Sequence, residues 1–165
     1  MKYFKYGEFM NDMASLSSIE SKLLSILQED ASMSVADLAE ATNSSAATIW
    51  RRIRSLEERG IIGPPVRLVD PAKVGRGMDV YCQVRMKSQD AQARAAFQQA
   101  IDAEPAIIEA YSVTGDWDYM LHMVVQDIAD FEDVLMRRLL DLDCVAGTST
   151  LFALRRIKHT SKIPV

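Results

Sequence analysis

Residues 45–60 read SAATIWRRIRSLEERG. Ile49, Ile53 and Leu56 recur at the three- and four-residue spacing that places side chains on one face of a helix, so the stretch predicts a helix that buries this stripe. The serine that opens it is a residue type that caps helix starts, and the glycine that closes it suits the left-handed conformation that ends helices. The stretch therefore predicts an amphipathic helix with defined ends.

This helix is rich in basic residues, although the chain as a whole is acidic. It holds Arg51, Arg52, Arg54 and Arg59 against two glutamates, whereas the whole chain of 165 residues has a formal net charge of -4. Neutralising DNA phosphates requires clustered basic side chains rather than a basic total. At about 100° per residue, the face opposite the apolar stripe carries Ala47 with Arg51 and Arg54. This face is the predicted DNA-contacting surface.

Each residue on this surface has an expected role. Arg51 and Arg54 can reach guanine edges or phosphates, and the small side chain of Ala47 allows approach to thymine methyl groups. Ser45 and Thr48 lie near the helix N-terminus, where hydroxyls and amides meet phosphate. For Arg52, nearer the core, a structural ion pair or phosphate clamp is as plausible as base reading. The predicted DNA-binding residues are Ser45, Ala47, Thr48, Arg51, Arg52 and Arg54. The alternative is that these arginines form an ordinary solvated face.

Two shorter helices are predicted upstream. The first follows the serine pair at 17–18 and runs to about Asp30 with a helical apolar stripe. The second begins after Ser34, whose capping-box partner three residues later is Asp37. A polar four-residue run at 42–45 ends it. Three helices with a short turn between the second and third predict a helix-turn-helix.

Downstream of residue 80 the apolar period changes to two. Val80, Cys82, Val84 and Met86 alternate with more polar residues, which is typical of a strand with one buried face. Further elements are predicted as a helix from about Asp90, strands at about 107–114 and 119–126 joined by a turn at 115–118, a helix with the stripe Ile128, Phe131, Leu135, Leu139 and Leu142, and a strand at 145–156. This order is the ferredoxin-like βαββαβ arrangement, an antiparallel sheet with helices on one face. The other face is left for a partner, so a homodimer is expected.

These elements predict an α+β chain with a winged-helix-like helix-turn-helix domain followed by a ferredoxin-like domain. The segment at 63–69 has a Gly-Pro-Pro break and three apolar residues, which we interpret as an extended linker. The predicted divisions are an N-terminal leader at 1–15, a helix-turn-helix DNA-binding domain at 16–62, a linker strand and hinge at 63–79, and a ligand-sensing and oligomerisation domain at 80–165.

Several function classes are disfavoured. Cys82 and Cys144 lack ligand or disulfide spacing, and His122 and His159 have no catalytic or metal-binding neighbours in sequence, so we expect no enzyme activity, cofactor or metal. No apolar run approaches the roughly 20 residues of a membrane helix. The N-terminus lacks the apolar core of a secretory signal, which favours a cytoplasmic protein.

The chain from Leu16 onward resembles the Lrp/AsnC family of bacterial and archaeal feast/famine regulators. In the first half the resemblance rests on Ile19, Leu23, Leu24, Leu27, Gln28, Asp30, Leu38, Ala39, Ser45, Arg52, Ile53, Arg54, Leu56, Glu57, Gly60, Ile61, Ile62, Asp70, Pro71 and Gly75, and in the second half on VTGDWDYML at 113–121. The chain departs from the family pattern at Ser17, Ser44, 63–65 and 142–145.

The resemblance implies a RAM-type C-terminal domain, dimers that assemble further into tetramers or octamers, and a free amino acid or related metabolite bound between dimers near the turn at 115–118. The implied effector-binding residues are Gly115, Asp116, Trp117, Asp118, Thr148 and Thr150, with the two threonines supplying hydroxyls from a facing subunit. Gly115 allows close backbone approach, an aspartate can hold an ammonium group and Trp117 offers an apolar wall. The alternative is a hairpin turn whose aspartates cap their own backbone.

The resemblance thus implies a sequence-specific DNA-binding transcription regulator whose assembly and DNA affinity respond to an amino acid. Besides an enzyme, two alternatives to this function stay open. One is a metabolite-binding oligomeric module that does not read specific DNA, and the other is a regulator controlled by its thiols.

Overall fold

A computed structural model describes residues 16–165, so the predicted leader at 1–15 lies outside the described residues. The chain forms two compact units. The first contains the described residues up to Arg67 together with Lys158–Val165, and the second is Leu68–Ile157. The chain therefore leaves the first unit once and returns to it. The predicted domain at 80–165 instead included residues 158–165 in the second unit.

The first unit is built on three helices, α1 (Ser18–Leu27), α2 (Val35–Ala41) and α3 (Ala46–Glu58). Capping boxes start α1 at Ser17 and α2 at Ser34, and Ser45 caps α3 through the amide of Thr48. Such caps satisfy amides at a helix start that have no partner within the helix. The core buries apolar side chains from all three helices, namely Leu23, Leu24, Leu38, Ala39, Ile49 and Leu56. The predicted helix-turn-helix is confirmed.

Two left-handed residues delimit α3. Asn43 has a φ of 53° in the turn between α2 and α3, and Gly60 has a φ of 69° just after α3. The amide of Ile61 donates to the carbonyl of Leu56 at 2.9 Å across that glycine, which ends the helix. The predicted stop at Gly60 is confirmed, since glycine adopts this conformation without the steric cost of a Cβ.

Within a single chain the segment at 63–70 forms no strand, and the predicted linker strand and hinge at 63–79 stay a prediction. Residues 63–70 have no regular secondary structure, and Val66, Leu68 and Val69 are 78%, 72% and 66% exposed. A strand needs a neighbouring strand to satisfy its amides and carbonyls, and the described residues place none beside this segment. A short 3-10 turn, Pro71–Val74, follows and ends at Gly75 in a left-handed conformation.

The second unit is a four-stranded antiparallel sheet with helices on one face. Its elements are β1 (Met78–Met86), α4 (Ala91–Ala103), β2 (Ile107–Ser112), β3 (Tyr119–Val125), α5 (Ile128–Val134) continued by a π-helical turn (Leu135–Leu140), and β4 (Val145–Phe152). The strand order is β2-β3-β1-β4. The predicted ferredoxin-like arrangement is confirmed, and β1 is a central strand.

Strand register assigns every side chain to one face of the sheet. Cys82 on β1 lies opposite Leu121 on β3 and Thr150 on β4, and cross-strand partners share a face. Cys82 and Leu121 are fully buried under α4 and α5 with Phe97, so this is the helix-covered face. The alternate residues, such as Tyr81 and its partner Leu151, therefore lie on the opposite, open face.

Three details of the second unit differ from the predicted elements. Ile128 is 62% exposed rather than part of the buried stripe, because α5 begins there and buries Phe131 and Val134 instead. From Leu135 the helix widens into a π-turn, which shifts the 3.6-residue stripe. The last strand ends at Phe152 rather than 156, and Leu154 beyond it is fully exposed. None of the helices in the described part of the chain is long and apolar enough to cross a bilayer.

Candidate DNA-binding surface and effector site

The predicted DNA-contacting residues share one end and one face of α3. Ser45, Ala47, Arg51 and Arg54 are exposed, and Thr48 is half-buried. The Ser45 hydroxyl accepts a hydrogen bond from the amide of Thr48 at 3.2 Å and lies 2.8 Å from its hydroxyl. Helix N-terminal amides and these hydroxyls attract anions. The structure thus gathers a positive helix start and two exposed arginines on one face.

Arg51 and Arg54 differ in their surroundings. The Nε of Arg54 donates to Glu58 at 2.9 Å, and its guanidinium lies 5.4 Å from the centre of the Trp50 ring. Arg51 makes no hydrogen bond or ion pair within residues 16–165. An arginine whose five donors are available is the better candidate for a bidentate contact to a guanine or phosphate. The geometry therefore favours Arg51 over Arg54 for the leading DNA contact.

Arg52 points away from that face. It is half-buried, and its Nη1 donates to the hydroxyl of Ser17 at 3.2 Å, next to the start of α1. Its Nε is buried without a hydrogen-bond partner in the described chain. Of the two roles considered for Arg52, these contacts favour the structural one.

Sequence reasoning missed a polar contact that orients α3 against α1. Glu20, with a side chain only 10% exposed, accepts a 2.8 Å ion-pair contact from Arg59. Hydrogen bonds from the hydroxyl and the amide of Ser17, together with Arg59, lower the pKa of Glu20 to about 2 against the opposing effect of burial. The Ser17-x-x-Glu20 spacing is a capping-box pattern that could have revealed half of this cluster.

The turn between β2 and β3 is shaped by Gly115 and Asp118. Gly115 has a φ of 108°, a backbone conformation that side chains with a Cβ rarely adopt. The carboxylate of Asp118 accepts hydrogen bonds from the amide of Met86 at 2.6 Å and from the side chain of Gln89. Asp118 therefore ties the turn to the end of β1, and both of its oxygens are engaged.

Asp116 and Trp117 have a different character. Asp116 is exposed, and its carboxylate accepts no hydrogen bond from the described residues. Its backbone carbonyl accepts a hydrogen bond from the Nε of Arg85 at 2.9 Å, and the Arg85 guanidinium lies 4.8 Å from the centre of the Trp117 ring. Arg85 was not predicted as a site residue, because only the strand register shows that its position on β1 adjoins this turn.

The structure does not bring Thr148 and Thr150 to the turn within one chain. They pair with Val84 and Cys82, so they lie on the helix-covered face, and β1 separates their strand from β3. The Thr150 hydroxyl is hydrogen-bonded to the thiol of Cys82, whose pKa burial raises to about 11. The physical reason is the two-residue strand period, which places Ser149 rather than either threonine on the open face.

The open face carries a polar cluster that the sequence did not indicate. His122 lies 2.8 Å from Asp79 and 3.5 Å from Glu109, and it stacks on Tyr81 at 4.6 Å. Burial opposes ionisation of Asp79, but hydrogen bonds from His122 and Arg156 lower its pKa overall. In residues 16–165, no three His, Cys, Asp or Glu side chains converge as a metal-ligand set.

Comparison with known proteins agrees with this architecture. Residues 16–62 match a winged helix-turn-helix DNA-binding family, and residues 79–163 match the Lrp/AsnC ligand binding domain. The chain is 35% identical over 150 residues to the glutamate uptake regulatory protein of Zymomonas mobilis, covering 91% of each chain.

Two solved structures extend the comparison. An AsnC family transcriptional regulator from Agrobacterium tumefaciens has a TM-score of 0.85 and 35% identity over 90% of this chain and 97% of its own. A transcriptional regulator from Neisseria meningitidis, solved as an L-Met complex, has a TM-score of 0.86 and 27% identity over 91% and 97% of the two chains.

Proposed function

Because this chain belongs to the Lrp/AsnC family, it is a DNA-binding transcription regulator, and we propose that it reads DNA through the exposed face of α3 and responds to an amino acid at the turn of 115–118. The observation that carries the DNA-reading part is Arg51. It stands exposed on α3, one helical turn after Ala47 and close to the N-terminus capped by Ser45. The small alanine allows the helix to approach the major groove, and the arginine supplies the donors.

Specific reading by one helix requires a second copy. A single helix-turn-helix contacts few base pairs, so regulators of this kind present two recognition helices about 34–36 Å apart. The open face of the sheet supports pairing, because Leu151 and Tyr81 lie there exposed at 55% and 38%. A second copy of this chain is the occupant that a self-complementary sheet face fits. We assign the dimer to this face, with assembly of dimers into tetramers or octamers.

The effector proposal rests on Asp116 and Trp117. Asp116 offers an exposed carboxylate for an ammonium group, and Trp117 offers an apolar surface beside it. The L-Met complex of the Neisseria relative supports an amino acid as the class of effector. A ligand that binds one assembly state more tightly than another must shift both assembly and DNA affinity by linkage.

The family consists of regulators, and we propose that this member has no catalytic activity of its own. Transcription control requires access to chromosomal DNA, and we place the protein in the cytoplasm on that ground.

The test is binding of the full-length protein to its own upstream DNA as salt rises from about 50 to about 300 mM, because displacing counterions makes log K fall linearly with log salt. Wild-type protein is expected to bind with a steep slope and to footprint two half-sites. Arg51→Ala should bind more weakly, whereas Arg137→Ala, an exposed arginine on the helix layer of the second unit, should bind like wild type. A chain that binds amino acids but shows no salt-dependent, site-specific DNA binding is instead the metabolite-binding module.

A further inference from the structure

We propose that Arg85 is the carboxylate-recognising residue of the effector site, so that the site selects α-amino acids by their carboxylate as well as their ammonium group. This inference rests on the proposed function, since it concerns the same turn. It adds a residue that lies outside the turn, on the neighbouring strand β1.

Two contacts fix the plane of the Arg85 guanidinium. Its Nε donates to the carbonyl of Asp116 at 2.9 Å, and its central carbon lies 4.8 Å from the centre of the Trp117 ring. Its two Nη groups make no hydrogen bond within the described residues. A guanidinium whose orientation is already set loses little freedom on binding, and its parallel donors match a carboxylate.

Space beside this guanidinium is open. Arg85 pairs across the sheet with Gly147 on β4, and no heavy atom from elsewhere in the described chain lies within 4 Å of where a Cβ of Gly147 would stand. On its other side, the amide of Asp118 donates to the carbonyl of Val84 at 2.9 Å, so the turn adjoins β1 at this point. A small zwitterion can therefore approach between the glycine and the turn, at the end of the β1–β4 pairing and beyond the Tyr81–Leu151 pair to which we assign the dimer.

The charges are arranged for a zwitterion rather than for a simple anion. Arg85 offers the positive group, and Asp116, whose backbone carbonyl Arg85 already contacts, offers an exposed carboxylate. An α-amino acid carries its carboxylate and ammonium on one carbon, which suits two opposite charges on adjacent groups. The half-buried ring of Trp117, over which the Arg85 guanidinium lies, provides apolar contact for the rest of the molecule.

The experiment compares acids with their amides on full-length protein. Wild type is first screened by thermal shift against the twenty L-amino acids, and each amino acid that binds is then titrated calorimetrically beside its α-amide. The acid should bind wild type at least about tenfold more tightly than the amide, because the amide cannot accept a charge-assisted pair of hydrogen bonds. In Arg85→Gln the acid should lose about tenfold or more in affinity, and the acid-to-amide ratio should approach one. Arg137→Gln, an exposed arginine of the same unit, is the matched control.

The outcomes separate the two proposals. If an amino acid binds wild type and Arg85→Gln with equal affinity, or if the variant still prefers the acid over the amide, the role of Arg85 is refuted while the effector proposal stands. If no amino acid binds wild type, the effector proposal itself fails. A purely structural role for Arg85 would weaken acid and amide alike and leave their ratio unchanged, which would also refute the assignment.

Discussion

Arg59, immediately after α3, donates to Glu20 in the first turn of α1 across 2.8 Å, and this contact joins the DNA-reading helix to the helix that starts the unit. It also makes the stability of the first unit depend on pH. The pKa of Glu20 is lowered from 4.5 to about 2, first by the hydrogen bonds from Ser17 and then by Arg59. A carboxyl with a lowered pKa in the folded state stabilises the protein above its unfolded pKa, and that contribution is lost as pH falls through its folded pKa.

We therefore expect Glu20→Gln to reduce the free energy of unfolding at pH 7 by on the order of 2 kcal/mol. The difference from wild type should shrink as pH falls from about 5 toward 2, the window between the two pKa values. Denaturant unfolding at a series of pH values measures it. Glu40→Gln removes the same charge from an exposed position on α2 and should have little effect at any pH. A difference for Glu20→Gln that stays constant down to pH 2 would contradict the assignment.

Arg51 and Arg52 are adjacent in sequence, but we expect their replacement by alanine to have different effects. Arg51→Ala should weaken specific DNA binding by about 1–3 kcal/mol and leave thermal stability unchanged, since Arg51 is exposed and makes no hydrogen bond or ion pair within residues 16–165. Arg52→Ala should instead lower the free energy of unfolding by about 1 kcal/mol, because it loses the hydrogen bond to Ser17. Fluorescence anisotropy with operator DNA and thermal melts separate the two effects. Equal loss of DNA affinity and stability in Arg51→Ala would contradict a direct contact.

Replacing the two aspartates of the turn should also have different effects, one on stability and the other on ligand binding. Asp118→Asn replaces a carboxylate that accepts from the amide of Met86 and from Gln89, so it should destabilise the second unit by about 1–3 kcal/mol. Asp116→Asn should keep wild-type stability and lose the thermal shift produced by an amino acid that binds wild type. Were the ligand response to survive Asp116→Asn, the ammonium partner would have to be sought elsewhere.

The thiols give a test of redox control. Burial raises the pKa of Cys82 to about 11, so its thiolate is scarce at pH 8, whereas Cys144 is half-buried. Iodoacetamide at pH 8 should therefore modify Cys144 in the folded protein and spare Cys82, as peptide mass spectrometry would show. DNA affinity is expected to be unchanged after this treatment. A large loss of DNA binding on modification would revive the thiol-controlled regulator.

The assignment of the dimer to the open sheet face predicts a charge-sensitive interface. Leu151→Glu places a carboxylate on that face and should convert the dimer to a monomer, with DNA affinity falling because two half-sites are no longer read together. Leu154→Glu adds the same charge beyond the end of β4, at a fully exposed residue, and should leave the dimer intact. Light scattering coupled to size exclusion measures both. A dimeric Leu151→Glu protein would show that another surface pairs the chains.

The helices and strands themselves were predictable because each depends on local rules. Ser34 with Asp37 marked the start of α2, Gly60 marked the end of α3, and the alternation from Val80 to Met86 marked a half-buried strand. The order of the elements was enough to indicate the ferredoxin-like topology, since short connections leave few arrangements. Helical periodicity likewise predicted which residues lie on the outer face of α3.

Local sequence patterns could not decide features that depend on residues far away in the chain or on a second subunit. The apolar residues at 66–69 resemble a strand, but a strand forms only where another strand completes its hydrogen bonds. Thr148 and Thr150 look like available hydroxyls, but their register with Val84 and Cys82 turns them toward the helices. Ile128 fits a helical stripe, but it is the first residue of α5 and stays exposed while Phe131 and Val134 are buried.

The amino-acid sequence by itself determined the elements, their order, the basic face of α3 and the turn at 115–118, because periodicity, caps and glycine conformations act between residues a few positions apart. Only the tertiary structure decided which polar groups are already occupied. It engaged Asp118 with Met86, turned Arg52 toward Ser17 and placed Arg85 against Trp117, leaving Arg51 and Asp116 exposed. Those choices depend on strand register and helix packing, which bring together residues 32 to 35 positions apart in sequence and which no local pattern encodes.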